Sequence, residues 1–181
     1  MKLIILDRDG VINQDSDEYI KSPDEWIPIP GSLEAIAKLN HEGYTVTVAT
    51  NQSGLARGYF DLQTLSAMHR KMEKLLADLG GQIDAVFYCP HGPKDGCECR
   101  KPQPGMLHEI AERFQESLDK IIFIGDTIND LKAATAAGVK PVLVRTGKGE
   151  KTEQQLDEHG FSQIPVHRDL AAAVDTILST A

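Results

Sequence analysis

Short apolar runs recur along this chain, each followed by a stretch whose apolar positions fall on one helical face. That alternation restricts the chain to a parallel sheet flanked by helices. Residues 3–6, 45–49, 85–88, 121–124 and 139–144 read as strands, and 32–40, 61–79 and 106–115 as helices. The tail adds a helix at 153–159, a short strand at 164–166 and a final helix at 169–178. Leu62, Leu65, Met68, Met72, Leu75, Leu76 and Leu79 share one face of the longest helix, a stripe that belongs to a core rather than a cofactor surface. The expected fold is α/β and Rossmann-like, with a parallel sheet and helices on both faces. At 181 residues, with no internal repeat or low-complexity linker, a single domain spanning 1–181 is expected.

In open sheets of this kind ligands bind beyond the carboxyl ends of the strands, so the chemistry is expected just after each one. Asp7-Arg8-Asp9-Gly10 follows the first strand, Thr50-Asn51-Gln52-Ser53-Gly54 the second, and Gly125-Asp126 the fourth. Asp7 and Asp9 are two residues apart, which under β alternation points both carboxylates the same way. Two like charges so close call for a cation, and Mg²⁺ favours carboxylate and phosphate oxygens. Asp126, with Asp130 one helical turn later, adds carboxylates from another strand end. One carboxylate can then attack phosphorus while a second protonates the leaving oxygen and later deprotonates water, roles that suit Asp7 and Asp9. Thr50 and Asn51 offer a hydroxyl, an amide and loop N–H groups to phosphate oxygens. Lys101 can neutralise charge on a transferred phosphoryl group. Singly, each cluster is what a turn or a solvated lysine looks like; placement at successive strand ends argues for a site.

Cys89, His91, Cys97 and Cys99 form C-x-H-x5-C-x-C, four ligands of the kinds that close a tetrahedral structural zinc site. The intervening Pro90, Gly92, Pro93 and Gly96 give a segment with little to bury, so a metal has ordering work to do. Four protein ligands leave no open position for catalysis at that ion. All three cysteines lie in this one segment, a poor pattern for a disulfide framework.

The four segments Asp7-Arg8-Asp9-Gly10-Val11, Thr50 to Gly54, Arg100-Lys101-Pro102 and Gly125-Asp126-Thr127-Ile128-Asn129-Asp130 resemble the ordered motifs of haloacid-dehalogenase-type phosphatases, over nearly the whole chain. The resemblance implies Asp7 as nucleophile and Mg²⁺ ligand, and Asp9 as general acid/base and ligand through its backbone carbonyl. It further implies Thr50 and Lys101 as holders of the phosphoryl group, Asp126 as the third metal residue, and Asp130 as an orienting residue behind it. Many relatives insert a cap domain; the gaps here hold only short loops, one helix and the cysteine segment, so no cap is expected. Selectivity is then assigned to loops: Asp15, Asp17 and Glu18 after the first motif, Asn51, Gln52, Ser53 and Arg57 after the second strand, and Arg100 beside Lys101. The stretch 12–23 together with the zinc segment is similar to heptose 1,7-bisphosphate 7-phosphatases of bacterial surface-polysaccharide synthesis. Histidinol-phosphate phosphatases share the zinc segment and all four motifs. Arg57 and Arg100 suit a bisphosphate, whereas Asp15, Asp17 and Glu18 would welcome a cationic substrate.

The formal net charge of −8 disfavours nucleic acid and anionic membranes as partners, and no basic patch offsets it. No apolar run approaches the roughly 20 residues of a membrane span, and the N-terminus lacks the pattern of a secretion signal. A cytoplasmic monomer acting on a small phosphorylated sugar is expected. A phospho-receiver, or a zinc-stabilised binding domain with a defunct site, is the competing class. The paired Asp9 argues against both, since neither needs an acid/base there.

Overall fold

The computed structural model describes residues 1–181 and is built on one all-parallel sheet of six strands. Strands β1 (Lys2–Leu6), β2 (Tyr44–Asn51), β3 (Ala85–Cys89), β4 (Ile122–Gly125), β5 (Lys140–Val144) and β6 (Val166–His167) lie in the order β3-β2-β1-β4-β5-β6. Helices α1 (Ser32–His41), α2 (Leu62–Ala77), α3 (Gly105–Phe114), α4 (Ile128–Ala137), α5 (Gly149–Glu153) and α6 (Leu170–Ser179) complete the chain. No inserted domain interrupts these connections, and no helix is long and apolar enough to cross a membrane.

The strands are apolar on both sides because both sides are covered. Ile4 and Leu6 of β1 pack with Val46 and Val48 against Ile36 and Leu39 of α1, Met68 and Met72 of α2, and Val174 of α6. Leu3 and Ile5 face the other way, onto Leu107 and Ile110 of α3 and Ala133 and Ala134 of α4. Helix starts are locally encoded. The Asp61 side chain accepts from Thr64 N at 2.8 Å, a cap of the kind that contributes about 1 kcal/mol.

Two elements differ from the sequence reading. Beyond the single turn that separates Asp126 from Asp130, helix α4 is not assigned from the sequence: its buried residues are mostly alanines, which leave a weak apolar stripe, and its start rests on a capping box between Thr127 and Asp130. The helix expected at 153–159 is instead α5 at Gly149–Glu153 followed by a 3-10 turn at Asp157–His159. The shift has a cause in the Thr152 hydroxyl, which donates to the Asp126 carbonyl at 2.8 Å and draws this segment onto the end of β4.

The chain winds outward from β1 through β2 to β3, then crosses back to β4 on the opposite side of β1. β1 and β4 are therefore the switch point where a crevice opens at the carboxyl ends. Leu6 is level with Val48 of β2 and Ile124 of β4, so the residues that follow these strands emerge together.

Candidate active site

Asp7 leaves β1 with its N–H still donating to Ile124 O at 3.0 Å, which fixes it beside Asp126 at the end of β4. Asp7, Asp126 and Asp130 are all buried, and their carboxylate oxygens lie within 4.8 Å of one another. One ammonium answers them. Lys101 Nζ sits 3.0 Å from Asp7 Oδ1 and 2.7 Å from Asp130 Oδ1, and donates to Ala49 O at 2.8 Å. Burial alone would lower the Lys101 pKa, but Asp130 and Asp7 more than offset it and keep the ammonium charged. Burial also works against ionised Asp130, yet Lys101 overrides it and holds that carboxyl below its ordinary value.

The balance falls differently for the other two. Burial and the Asp130 charge push Asp7 up to about 8, against the pull of Lys101. Burial, Asp7 and Asp130 together raise Asp126 well above the usual carboxylate range. Three buried carboxylates with one lysine are short of positive charge. Asp126 Oδ1 is also buried without a hydrogen-bond partner. A divalent cation supplies what is missing, and the donor set fits Mg²⁺. Asp130 has less to offer directly: its Oδ2 accepts from Asp126 N and Thr127 N, both at 3.1 Å, while its Oδ1 faces Lys101.

The Asp126 carboxylate lies in a backbone cradle. Gly10 (φ +87°) and Gly147 (φ +58°) approach it from either side, and a Cβ at either position would overlap Asp126 Oδ2. That oxygen accepts from Lys148 N at 2.9 Å.

From β2, Thr50 is buried with its Oγ1 accepting from Gln52 Nε2 at 3.0 Å. Asn51 uses both ends of its amide on one residue. Its Nδ2 donates to Lys101 O at 3.1 Å, and its Oδ1 accepts from Lys101 N at 3.0 Å. Asn51 thus holds the backbone of Lys101 in place. Gln52 lies beneath the cleft, reaching Asp9 Oδ2 at 3.3 Å.

A cleft of about 410 Å³ opens over these groups, lined by Asp7, Asp9, Thr50, Lys101 and Asp126 on its floor. Asp15, Asp17, Ser53 and Arg100, all assigned to selectivity from the sequence, lie on its walls. Glu18 is exposed and does not line the cleft; it turns outward, with its carbonyl accepting from Lys21 Nζ at 2.8 Å. Arg57 reaches the cleft only through Tyr19, whose ring it covers at 5.7 Å. The sequence reading missed Lys148, whose Nζ lies 3.3 Å from Asp15 Oδ2 across the mouth. Extending the strand-end rule to the loop after β5 would have found it.

Cys89 ends β3, and no helix or strand intervenes between it and α3. Cys89 Sγ lies 3.4 Å from His91 Nδ1, 3.6 Å from Cys97 Sγ and 3.0 Å from Cys99 Sγ. Cys99 Sγ and His91 Nδ1 are 3.3 Å apart. Ligand atoms around a tetrahedral zinc with bonds of about 2.3 Å stand roughly 3.7 Å apart, so the four groups fit that ion. Cys99 is two residues from Lys101 and Asn51 is hydrogen-bonded to it, so the cysteine cluster and Asn51 flank Lys101 from two directions.

The HAD-hydrolase-like family model matches residues 98–173. The D-glycero-β-D-manno-heptose-1,7-bisphosphate 7-phosphatase of Pseudomonas aeruginosa is 61% identical over 97% of this chain and 97% of its own length. The enzyme of that name from Bordetella bronchiseptica is 56% identical over 100% of both chains. The crystal structure of the B. bronchiseptica D,D-heptose 1,7-bisphosphate phosphatase complexed with magnesium and phosphate superposes with a TM-score of 0.95 over 100% of both chains.

Proposed function

Because this chain belongs to the D-glycero-β-D-manno-heptose-1,7-bisphosphate 7-phosphatases of the haloacid-dehalogenase superfamily, we propose that it hydrolyses the 7-phosphate of that sugar bisphosphate. The products are heptose 1-phosphate and inorganic phosphate. The observation that carries the choice of substrate is the cationic rim: beyond Lys101 on the floor, Arg100 and Lys148 line the same cleft. A single phosphate needs only the floor, whereas a second phosphate on the far end of the substrate needs charges at the mouth. Asp15 and Asp17 beside them are acceptors for sugar hydroxyls.

Chemistry follows from the floor. Asp7 attacks phosphorus: its oxygen–phosphorus bond forms as the bond from phosphorus to the sugar oxygen breaks, and Asp9 gives its proton to that departing oxygen. Water then attacks the aspartyl phosphate. Its oxygen bonds phosphorus, the bond to Asp7 breaks, and the proton of water returns to Asp9. Lys101 and the Thr50 hydroxyl hold the phosphoryl oxygens while charge moves through them. Asp7 and Asp126, with the backbone carbonyl of Asp9, would hold Mg²⁺, which supplies charge neutralisation for a dianion entering an acidic pocket. Asp130 holds Lys101 and the amides of Asp126 and Thr127 in place. Zinc at Cys89, His91, Cys97 and Cys99 has a structural part, fixing the segment that carries Arg100 and Lys101. The same reading has the enzyme act in the cytoplasm as a single chain.

The specificity test is a side-by-side kcat/KM for heptose 1,7-bisphosphate and histidinol phosphate. The bisphosphate is expected to lead by more than roughly 100-fold. A preference for histidinol phosphate would overturn the substrate reading and leave the phosphatase reading standing.

A second expectation concerns the cradle. In Gly10→Ala the new methyl group meets the Asp126 carboxylate and the backbone is strained at φ +87°, so the metal residues are displaced. Half-saturation by Mg²⁺ is expected to rise by about 10-fold or more, and kcat to fall by about 100-fold, as read from activity titrated against Mg²⁺.

A further inference from the structure

Arg8 is a fully buried cation that the chemistry above does not use. Its Nε and Nη2 each lie 2.8 Å from Asp9 Oδ1, and Asn13 Nδ2 donates to the same oxygen at 2.9 Å. Its Nη1 lies 3.2 Å from Nε2 of His69 on α2. A guanidinium only donates, so His69 Nε2 is the acceptor there and the ring carries its proton on Nδ1. The two oxygens of Asp9 are thus unequal. Oδ1 accepts hydrogen bonds from Arg8 Nε and Asn13 Nδ2 and has Arg8 Nη2 in ion-pair contact, whereas Oδ2, on the side chain that lines the cleft, meets only Gln52 Nε2, at 3.3 Å.

A buried guanidinium is expensive, and an apolar side chain of similar volume would serve stability at least as well. Its use here is positional. Asp9 sits on a loop, and a carboxylate free to rotate would spend little time aligned with the oxygen it must protonate. We infer that Arg8 and His69 are positioning residues for Asp9. They pin Oδ1 so that Oδ2 alone gives the proton to the sugar oxygen and takes it back from water. His69 steers the guanidinium from the second layer, linking α2 to the proton-transfer step although its ring need not touch substrate.

The inference rests on the reading of Asp9 as acid/base, and the test separates the two. Wild type, His69→Leu, His69→Gln and Asp9→Asn, each loaded with both metals, are compared on heptose 1,7-bisphosphate and on 4-nitrophenyl phosphate, whose leaving group departs without a proton. Leucine removes the acceptor for Arg8 Nη1; glutamine restores one. His69→Leu is expected to lower kcat on the bisphosphate by roughly 10- to 100-fold with little change in KM. On the aryl ester it should release a stoichiometric burst of nitrophenolate, then turn over more slowly than wild type, because aspartyl phosphate forms readily but waits for its base. His69→Gln should recover to within about threefold of wild type. Equal losses on both esters without a burst, or no loss in His69→Leu, overturn the inference. If Asp9→Asn shows the burst and His69→Leu does not, positioning alone falls; if Asp9→Asn turns over like wild type, the reading beneath it falls.

Discussion

Asp7→Asn is expected to abolish Mg²⁺-dependent phosphate release, lowering kcat by at least about 10⁴-fold, the scale seen when a nucleophile is removed from an intact site. An amide at this position offers phosphorus no oxygen nucleophile of comparable strength, and neither buried carboxylate beside it can stand in. Asp130 is committed to Lys101 and two backbone amides, Asp126 to its glycine cradle and Lys148 N. The fold should survive, with an instructive sign. Burial and Asp130 raise the folded pKa of Asp7 to about 8, above its unfolded value of 3.8. The folded protein therefore holds this proton more tightly, and the metal-free wild type loses stability as pH rises from near 4 toward 8. Asn never ionises. At neutral pH without Mg²⁺ the variant should unfold no earlier than wild type, and the advantage should vanish below about pH 4. Thermal unfolding in Mg²⁺-free buffer and a steady-state phosphate assay check the two halves; turnover above a thousandth of wild type at saturating Mg²⁺ would mean a different nucleophile.

The second large effect is expected at the cysteine cluster. Purified protein should hold one tightly bound zinc per chain, and Cys97→Ser should lose it together with roughly 10 °C of thermal stability. That is the scale for a ligand present at about 1,000 times its Kd in a domain of this size. Activity should fall with the metal even though zinc touches no reacting atom. Cys99 and Asn51 hold the backbone of Lys101 from two sides, and losing the cluster leaves only Asn51 on that backbone. The sheet should persist, because only the end of β3 at Cys89 and the Cys97 and Cys99 packed beside it belong to this segment, and the other strands are paired and packed without it. Zinc content, a melting curve and far-UV circular dichroism together decide it: a metal-free native protein of undiminished stability would refute the structural role.

Much of this was legible in the sequence, and the parts that were not share a physical reason. Strands announce themselves as apolar runs because both faces of the sheet are covered. Asp7, Thr50 and Asp126 follow from them, since a parallel sheet places its ligands at the carboxyl ends. The cysteine cluster was legible because its four members lie within eleven residues, close enough for spacing to carry the signal. Helix α4 was not, because alanines buried against a sheet leave little contrast between faces. The burial of Arg8 was hidden for another reason: it sits in a loop, where no periodicity reports which side chains turn inward. Pairing across long separations was equally invisible. Nothing near Asn51 says that its amide closes on Lys101, fifty residues away, or near Asp15 that Lys148 will face it. Local pattern places residues on elements, but only packing decides which loops meet.

The central place of β1 also bears on how the molecule comes into being. Of the six strands this one is synthesised before the others, yet one of its flanks waits for Ile122–Gly125 before it is paired. Until then a nascent chain carries β1, β2 and β3 with an unclosed apolar edge, a ready template for pairing with the wrong strand. Asp7 meanwhile lacks Asp126 and Lys148, so catalysis switches on only late in synthesis, when β4, β5 and the loop beyond them have docked. The arrangement that puts Asp7 at the middle of the sheet is thus also the one that makes an incomplete chain both inert and sticky.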